Sequence, residues 1–284
     1  IMTVSGHIPS PLSGNVKVNG FNINQKVTFT QTNYLLNWYN LTNSLVLSPP
    51  PLKDSAMCYD AADGYVILYG GMTNNGASNQ TWIFKNGAWE QIHPNNSPPP
   101  MWREAMVYDY SDQYVLLFGG TNSNTNTYYA QTWIFKAGEW KELSVNNSPP
   151  ARAGEGLAYD SYDRYVVLYG GTNNYAYSGA GLSDTWIFKG GQWSELYPSI
   201  SPLDRDSENQ LMMCDDPLIN GVLLFGGWNP SGIGGYNLND TWIYSSGNWQ
   251  EIYPQNSPCA RQGSVMSYDP EINNVFLFGG WSGI

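Results

Sequence analysis

Short apolar runs recur along this chain, and each one ends in a double glycine. The runs are Tyr65–Tyr69, Tyr114–Phe118, Tyr165–Tyr169, Val222–Phe225 and Val275–Phe278, and the doublets are Gly70-Gly71, Gly119-Gly120, Gly170-Gly171, Gly226-Gly227 and Gly279-Gly280. Uninterrupted apolar runs of this length predict strands buried on both faces. A second landmark, Thr-Trp-Ile-aromatic, places Trp82, Trp133, Trp186 and Trp242 after the first four doublets. A third landmark, a second tryptophan, follows seven residues later each time, at Trp89, Trp140, Trp193 and Trp249. Self-similarity at a period of about 50 residues marks a repeat architecture. Each repeat predicts four strands. Strand a ends at an Asp turn (Asp60, Asp109, Asp160, Asp216, Asp269), strand b enters the doublet, strand c carries Thr-Trp-Ile, and strand d carries the second tryptophan. Asn-Ser-Pro-Pro or a relative then halts the ladder, because proline cannot donate to it.

These residues, glycine doublet, Thr-Trp and spaced tryptophan, resemble the kelch motif over about residues 47–284. The resemblance implies an all-β fold, a β-propeller in which each repeat is one four-stranded blade. The glycines then give room at a crowded turn. The tryptophans pack between blades with their indole N–H groups bonded to backbone. Such motif residues read as scaffold rather than site.

The ends bear on the count. The last repeat stops at Trp281-Ser-Gly-Ile284 with strands a and b alone. The segment Asn37-Trp38-Tyr39-Asn40-Leu41, followed by Ser48-Pro49-Pro50, looks like a strand d with two extra residues. The expectation is therefore five blades, at about 54–93, 103–143, 153–196, 208–252, and 262–284 completed by 21–46, with residues 1–20 as an extension or hairpin. Such closure removes free sheet edges. An excised piece of a larger ring is the alternative. Residues 14–30 also read as a hairpin of a small neighbouring domain.

Composition narrows the functional classes. Charged residues are 12% of the chain, about half the usual share of roughly 25%. The surface is then mostly Asn, Ser, Thr, Gly and Tyr, which suits a secreted or cell-surface protein. A net charge of -11 argues against nucleic acid and anionic membranes as partners. There is no apolar run long enough to span a bilayer. The start Ile1-Met2-Thr3-Val4 lacks the n- and h-regions of a signal peptide and reads as a trimmed start or an excised domain. Asn40, Asn79, Asn95, Asn146 and Asn239 stand in N-glycosylation sequons. Cys58, Cys214 and Cys259 form no CxxC pair, and the first two read as small residues of inner strands.

Candidate chemistry falls in the loops. The b–c and d–a loops share one face, are long, and vary most, which is where binding resides on a rigid scaffold. Trp102, Tyr128, Tyr129, Tyr175, Tyr177, Trp228, Tyr236 and Trp281 place aromatic surface there amid Asn, Ser and Gly, as a protein or glycan ligand requires. Near the start of strand a, Arg103, Arg152, Arg205 and Arg261, with Lys53, Glu104, Glu155, Asp206 and Glu208, read as a ring of ion pairs at a channel mouth, or as a pocket for an anion. Only His7 and His93 are present, too few for a metal cluster or a Ser-His-Asp arrangement. Kelch propellers such as galactose oxidase hold copper with two Tyr and two His, a set this chain does not match. No catalytic residue, metal or cofactor is assigned. The leading reading is a non-catalytic binding module for a surface protein or glycan. The alternatives are a carbohydrate-active enzyme using channel-mouth carboxylates, and a structural module of a larger surface assembly.

Overall fold

The computed structural model describes residues 2–5, 17–18, 21–22, 37–40, 45, 47–173, 181–206, 210–230 and 235–283. The chain divides into two units, Ile1–Val46 and Leu47–Ile284; the sequence reading sets its boundary after residue 20. In the first unit β1 (Met2–Ser5) pairs with β4 (Asn37–Asn40), and β2 (Lys17–Val18) with β3 (Phe21–Asn22).

The second unit is built of successive four-stranded antiparallel sheets in the order a-b-c-d, each one blade of the repeat array. Blade 1 holds β5 (Ala56–Asp60), β6 (Tyr65–Tyr69), the small hairpin β7 (Met72–Thr73) and β8 (Gly76–Ala77), then β9 (Thr81–Lys85) and β10 (Ala88–Ile92). Blade 2 holds β11 (Trp102–Asp109), β12 (Tyr114–Asn122), β13 (Thr127–Tyr128), β14 (Thr132–Lys136) and β15 (Glu139–Glu142). Blade 3 is β16 (Gly156–Asp160), β17 (Tyr165–Tyr169), β18 (Thr185–Lys189) and β19 (Gln192–Leu196). Blade 4 is β20 (Met213–Asp216), β21 (Gly221–Asn229), β22 (Tyr236–Ser245) and β23 (Asn248–Ile252). The last sheet pairs β24 (Gln262–Asp269) with β25 (Asn274–Trp281). Among the described residues it has no strand c or d. Val265, Phe276 and Phe278 are exposed on it.

Each a–b turn closes on its aspartate. Asp60 Oδ1 accepts from Ala62 N and Asp63 N, and Asp109 and Asp160 do the same for Ser111, Asp112, Tyr162 and Asp163. These short acceptors replace backbone partners that a tight turn cannot provide.

Blades are joined by the strand-d tryptophan. Trp140 Nε1 donates to Thr81 Oγ1 of the preceding blade at 3.0 Å, Trp193 to Thr132 at 2.9 Å, and Trp249 to Thr185 at 2.9 Å. The partner is thus a strand-c hydroxyl, not the backbone that the repeat pattern suggests. The indole edge also meets a strand-b ring of the preceding blade, Tyr69, Phe118 or Tyr169, at centroid distances of 5.1, 5.1 and 5.0 Å. The apolar clusters accordingly straddle blades: Leu116 and Phe118 of blade 2 lie with Leu157, Tyr159 and Trp193 of blade 3. Trp89 Nε1 of blade 1 is buried without a partner among the described residues.

Thr132→Val keeps the shape of the site but strands the Trp193 indole N–H in a buried contact. It is expected to cost about 1–3 kcal/mol, read as a lower urea midpoint with an unchanged m-value. A midpoint equal to wild type would remove the hydrogen bond from the account of blade docking.

Candidate functional site

The d–a segments lie against the b–c loops on one face and pair with them residue by residue. Lys53 bridges to Met72, Trp102 to Thr121, Ala153 to Thr172 and Asp206 to Trp228. Buried asparagines reinforce the contact: Asn122 Nδ2 donates to Pro100 O at 3.0 Å, and Asn229 Nδ2 to Asp204 O at 2.9 Å. Tyrosine hydroxyls of strand b reach the proline segments, Tyr69 to Pro98 O at 2.6 Å and Tyr169 to Pro202 O at 2.5 Å. One residue further on, backbone passes from blade to blade. Arg103 N donates to Asp54 O, and Gly154 N to Arg103 O, each at 2.9 Å. Asp54 and Arg103 hold φ of 55° and 60°, where the matching residues of blade 3 and of the last sheet are Gly154 and Gly263. A side chain kept in that region of backbone space carries strain of about 1–3 kcal/mol and points to a local requirement.

The four arginines separate into different roles. Arg152 and Arg205 have no exposed surface. Each grips the aspartate before its blade's strand c in a two-pronged bond: Arg152 with Asp184 at 2.7 and 2.5 Å, Arg205 with Asp240 at 2.8 and 2.7 Å. Each also donates to the first glycine carbonyl of its own doublet, Gly170 O or Gly226 O. Trp186 and Trp242 donate to the same aspartates at 2.7 Å. Burial works against ionisation of Asp184 and Asp240, but the guanidinium hydrogen bonds and charge outweigh it and hold both below the usual carboxylate range. Arg261 donates to Gly279 O and Cys259 O. Arg103 alone of the four reaches across to another blade's d–a segment, bonding Asp206 at 2.9 Å. Of the charges expected to form a ring of ion pairs, Arg152 and Arg205 are internal ties, while among the described residues Arg103 pairs with Asp206 and Lys53 with Asp54 at 3.5 Å. Glu208 lies outside the described residues.

A regularity within the repeats identifies the internal ties. Blades 3 and 4 combine Arg with Asp, whereas blade 2 has Met101 and Gln131 at the same two places. That pairing is legible in the sequence once the repeats are set in register, and it distinguishes Arg152 and Arg205 from Arg103, two positions further along.

The aromatic candidates also separate. Trp102 is half-buried, with Lys53 Nζ 5.7 Å and Arg103 Cζ 5.9 Å from its ring, two cations on one indole. Tyr128 and Tyr129 are half-buried, and Tyr129 packs into the cluster between blades 1 and 2. Trp228 is half-buried against Gly235. Tyr236 and Trp281 are exposed, at 51% and 55%. Asn237 Nδ2 donates to Trp281 O at 3.1 Å, which ties the blade 4 loop to the end of β25. Tyr175 and Tyr177 lie outside the described residues.

Of the sequon asparagines, Asn79, Asn95, Asn146 and Asn239 are exposed. Asn95 is engaged with Glu139 through N and Nδ2. The Asn40 backbone lies in β4, and its side chain is outside the described residues. Cys58, Cys214 and Cys259 are unpaired, and burial pushes the Cys58 and Cys214 thiols up to about 12. Among the described residues no three His, Cys, Asp or Glu side chains are arranged to hold a metal ion.

The family model described as the KLHDC2/KLHL20/DRC7 Kelch-repeats domain matches residues 11–227. No curated protein matches by sequence. Among solved structures, the one titled "Structure of YjhT" superposes with a TM-score of 0.69 at 14% identity, covering 89% of this chain and 83% of that one. At that identity the likeness speaks for the fold alone.

Arg152→Met leaves Asp184 partly buried without its counter-ion and is expected to destabilise by about 3–5 kcal/mol. Adding Asp184→Gln recreates the Met-Gln combination of blade 2 and is expected to recover most of that loss. A double-mutant cycle by chemical denaturation measures the coupling; additive losses would show that the two residues do not act as a pair.

Proposed function

We propose a function from this premise: the chain belongs to the kelch-repeat family. It acts as a non-catalytic binding module, and its partner is a protein or a glycan held on the face made by the b–c and d–a loops. The observation that carries the reading is the pairing of aromatic surface with polar loop chemistry there. Tyr236 and Trp281 stand exposed at the loop-side ends of β22 and β25, which Asn237 ties together, and Trp102 is flanked by Lys53 and Arg103. Aromatic anchors supply contact area at low entropy cost, and Asn, Ser and Gly adapt hydrogen bonds around them. The rest of the motif is occupied in holding blades together, which leaves recognition to the loops.

We further propose a secreted or cell-surface setting. The scarcity of charge and the exposed sequons at Asn79, Asn95, Asn146 and Asn239 support it. Among the described residues no helix is long and apolar enough to cross a membrane.

A binding screen of the folded chain against a glycan array and a surface-protein extract tests the reading. Tyr236→Ala and Trp281→Ala are expected to weaken any captured ligand by about tenfold or more, as anchor residues do, while leaving the melting temperature unchanged. A ligand held equally well by both variants would place recognition elsewhere, and no ligand at all would favour a purely structural module.

A further inference from the structure

Glu104 and Glu155 occupy one repeat position, just before the strand-a core, where repeats 1 and 5 have Ser55 and Ser264. Their exposures are 1% and 0%. Each carboxyl fills a slot opened by a glycine of the preceding blade. A Cβ on Gly70 would overlap Glu104 Oε1, and one on Gly119 would overlap Glu155 Oε1. Both glycines have φ near 70°, which a larger residue would resist. Glu104 Oε1 accepts from Ala56 N of blade 1 at 3.2 Å. Glu104 Oε2 and both Glu155 carboxyl oxygens have no hydrogen-bond partner among the described residues.

Counter-charge is committed elsewhere. Asp54, Tyr69 and Glu155 face Glu104, and none of them is a cation. Arg152 and Arg103 act on Glu155 through space, but their salt bridges run to Asp184 and Asp206. Backbone N–H groups favour the ionised form of both, but a carboxylate enclosed without a bonded cation is so unfavourable that burial outweighs them and the group keeps its proton.

We propose that Glu104 and Glu155 are held as neutral carboxylic acids and form a proton-dependent latch across blades 1, 2 and 3, tight in acid and loosened in alkali. Burial, the largest influence, raises both groups to about 8. Unfolded glutamate titrates near 4.3, so between roughly pH 4.3 and 8 the folded chain binds more protons than the unfolded one. The latch contribution is complete below that window and is lost as pH rises through it. Asp184 and Asp240 act in the opposite sense: their contribution disappears as pH falls below roughly 4, the ordinary aspartate range. The second unit is therefore most stable in mild acid.

Calorimetric melting from pH 4.5 to 9 tests the latch in wild type, Glu104→Gln and Glu155→Gln. The wild-type melting temperature is expected to fall by roughly 5 °C or more on going from pH 5 to 9. Each glutamine variant, neutral throughout, is expected to show a visibly smaller fall. A melting temperature that is flat or rises over that range overturns the proposal, as does an unchanged slope in both variants. Infrared spectra of the wild-type chain give a readout independent of the variants. A protonated carboxyl band persisting at pH 7 supports the latch, and full ionisation at that pH overturns it.

Discussion

Every closed blade junction between residues 47 and 284 turns on the strand-d tryptophan. Its indole fills the space between two sheets, its edge meets a strand-b ring, and its N–H finds a threonine hydroxyl on the neighbouring blade. A single sheet has two apolar faces and cannot bury both, so each blade is stable only against its neighbours. The hydrogen bond adds direction to a contact that apolar burial alone would leave free to slide. Register between blades follows, and with it the placing of every loop on the outer face.

That constraint explains why the architecture was legible in the sequence. Glycine doublets, Thr-Trp pairs and spaced tryptophans are the blade-to-blade contacts, and they recur because each junction repeats the same geometry. The a–b aspartates are equally legible, since a tight turn demands a short acceptor at a fixed place. The indole partner was less so: a hydroxyl and a backbone carbonyl satisfy the same N–H, and the repeat pattern alone does not choose between them.

The candidate site was harder to read, and the arginines show why. Arg103, Arg152 and Arg205 all stand near the start of strand a, but Arg103 lies two positions out of step with the others. In extended chain an even displacement keeps a side chain on the same side, so simple alternation does not separate them. What separates them is the partner: an aspartate before strand c draws Arg152 and Arg205 inward, and Met101 with Gln131 leaves Arg103 to find Asp206. Glu104 and Glu155 stand beside the same charges along the chain, yet their carboxyls turn into glycine slots of the preceding blade. Proximity along the chain predicted neighbourhood, and burial then decided function.

The Arg-Asp and Met-Gln combinations have a meaning beyond stability. A repeat array grows by copying whole units, and afterwards each copy drifts alone. A buried ion pair whose two members lie in one copy travels intact through such a duplication, whereas a tie shared between copies would be broken whenever the order of units changed. Arg152 with Asp184, and Arg205 with Asp240, each sit inside a single repeat. The indole-to-threonine bond, by contrast, spans two, and its uniformity is what lets any unit stand beside any other. The two buried arginine ties are thus private to their repeats, whereas the indole connection is generic.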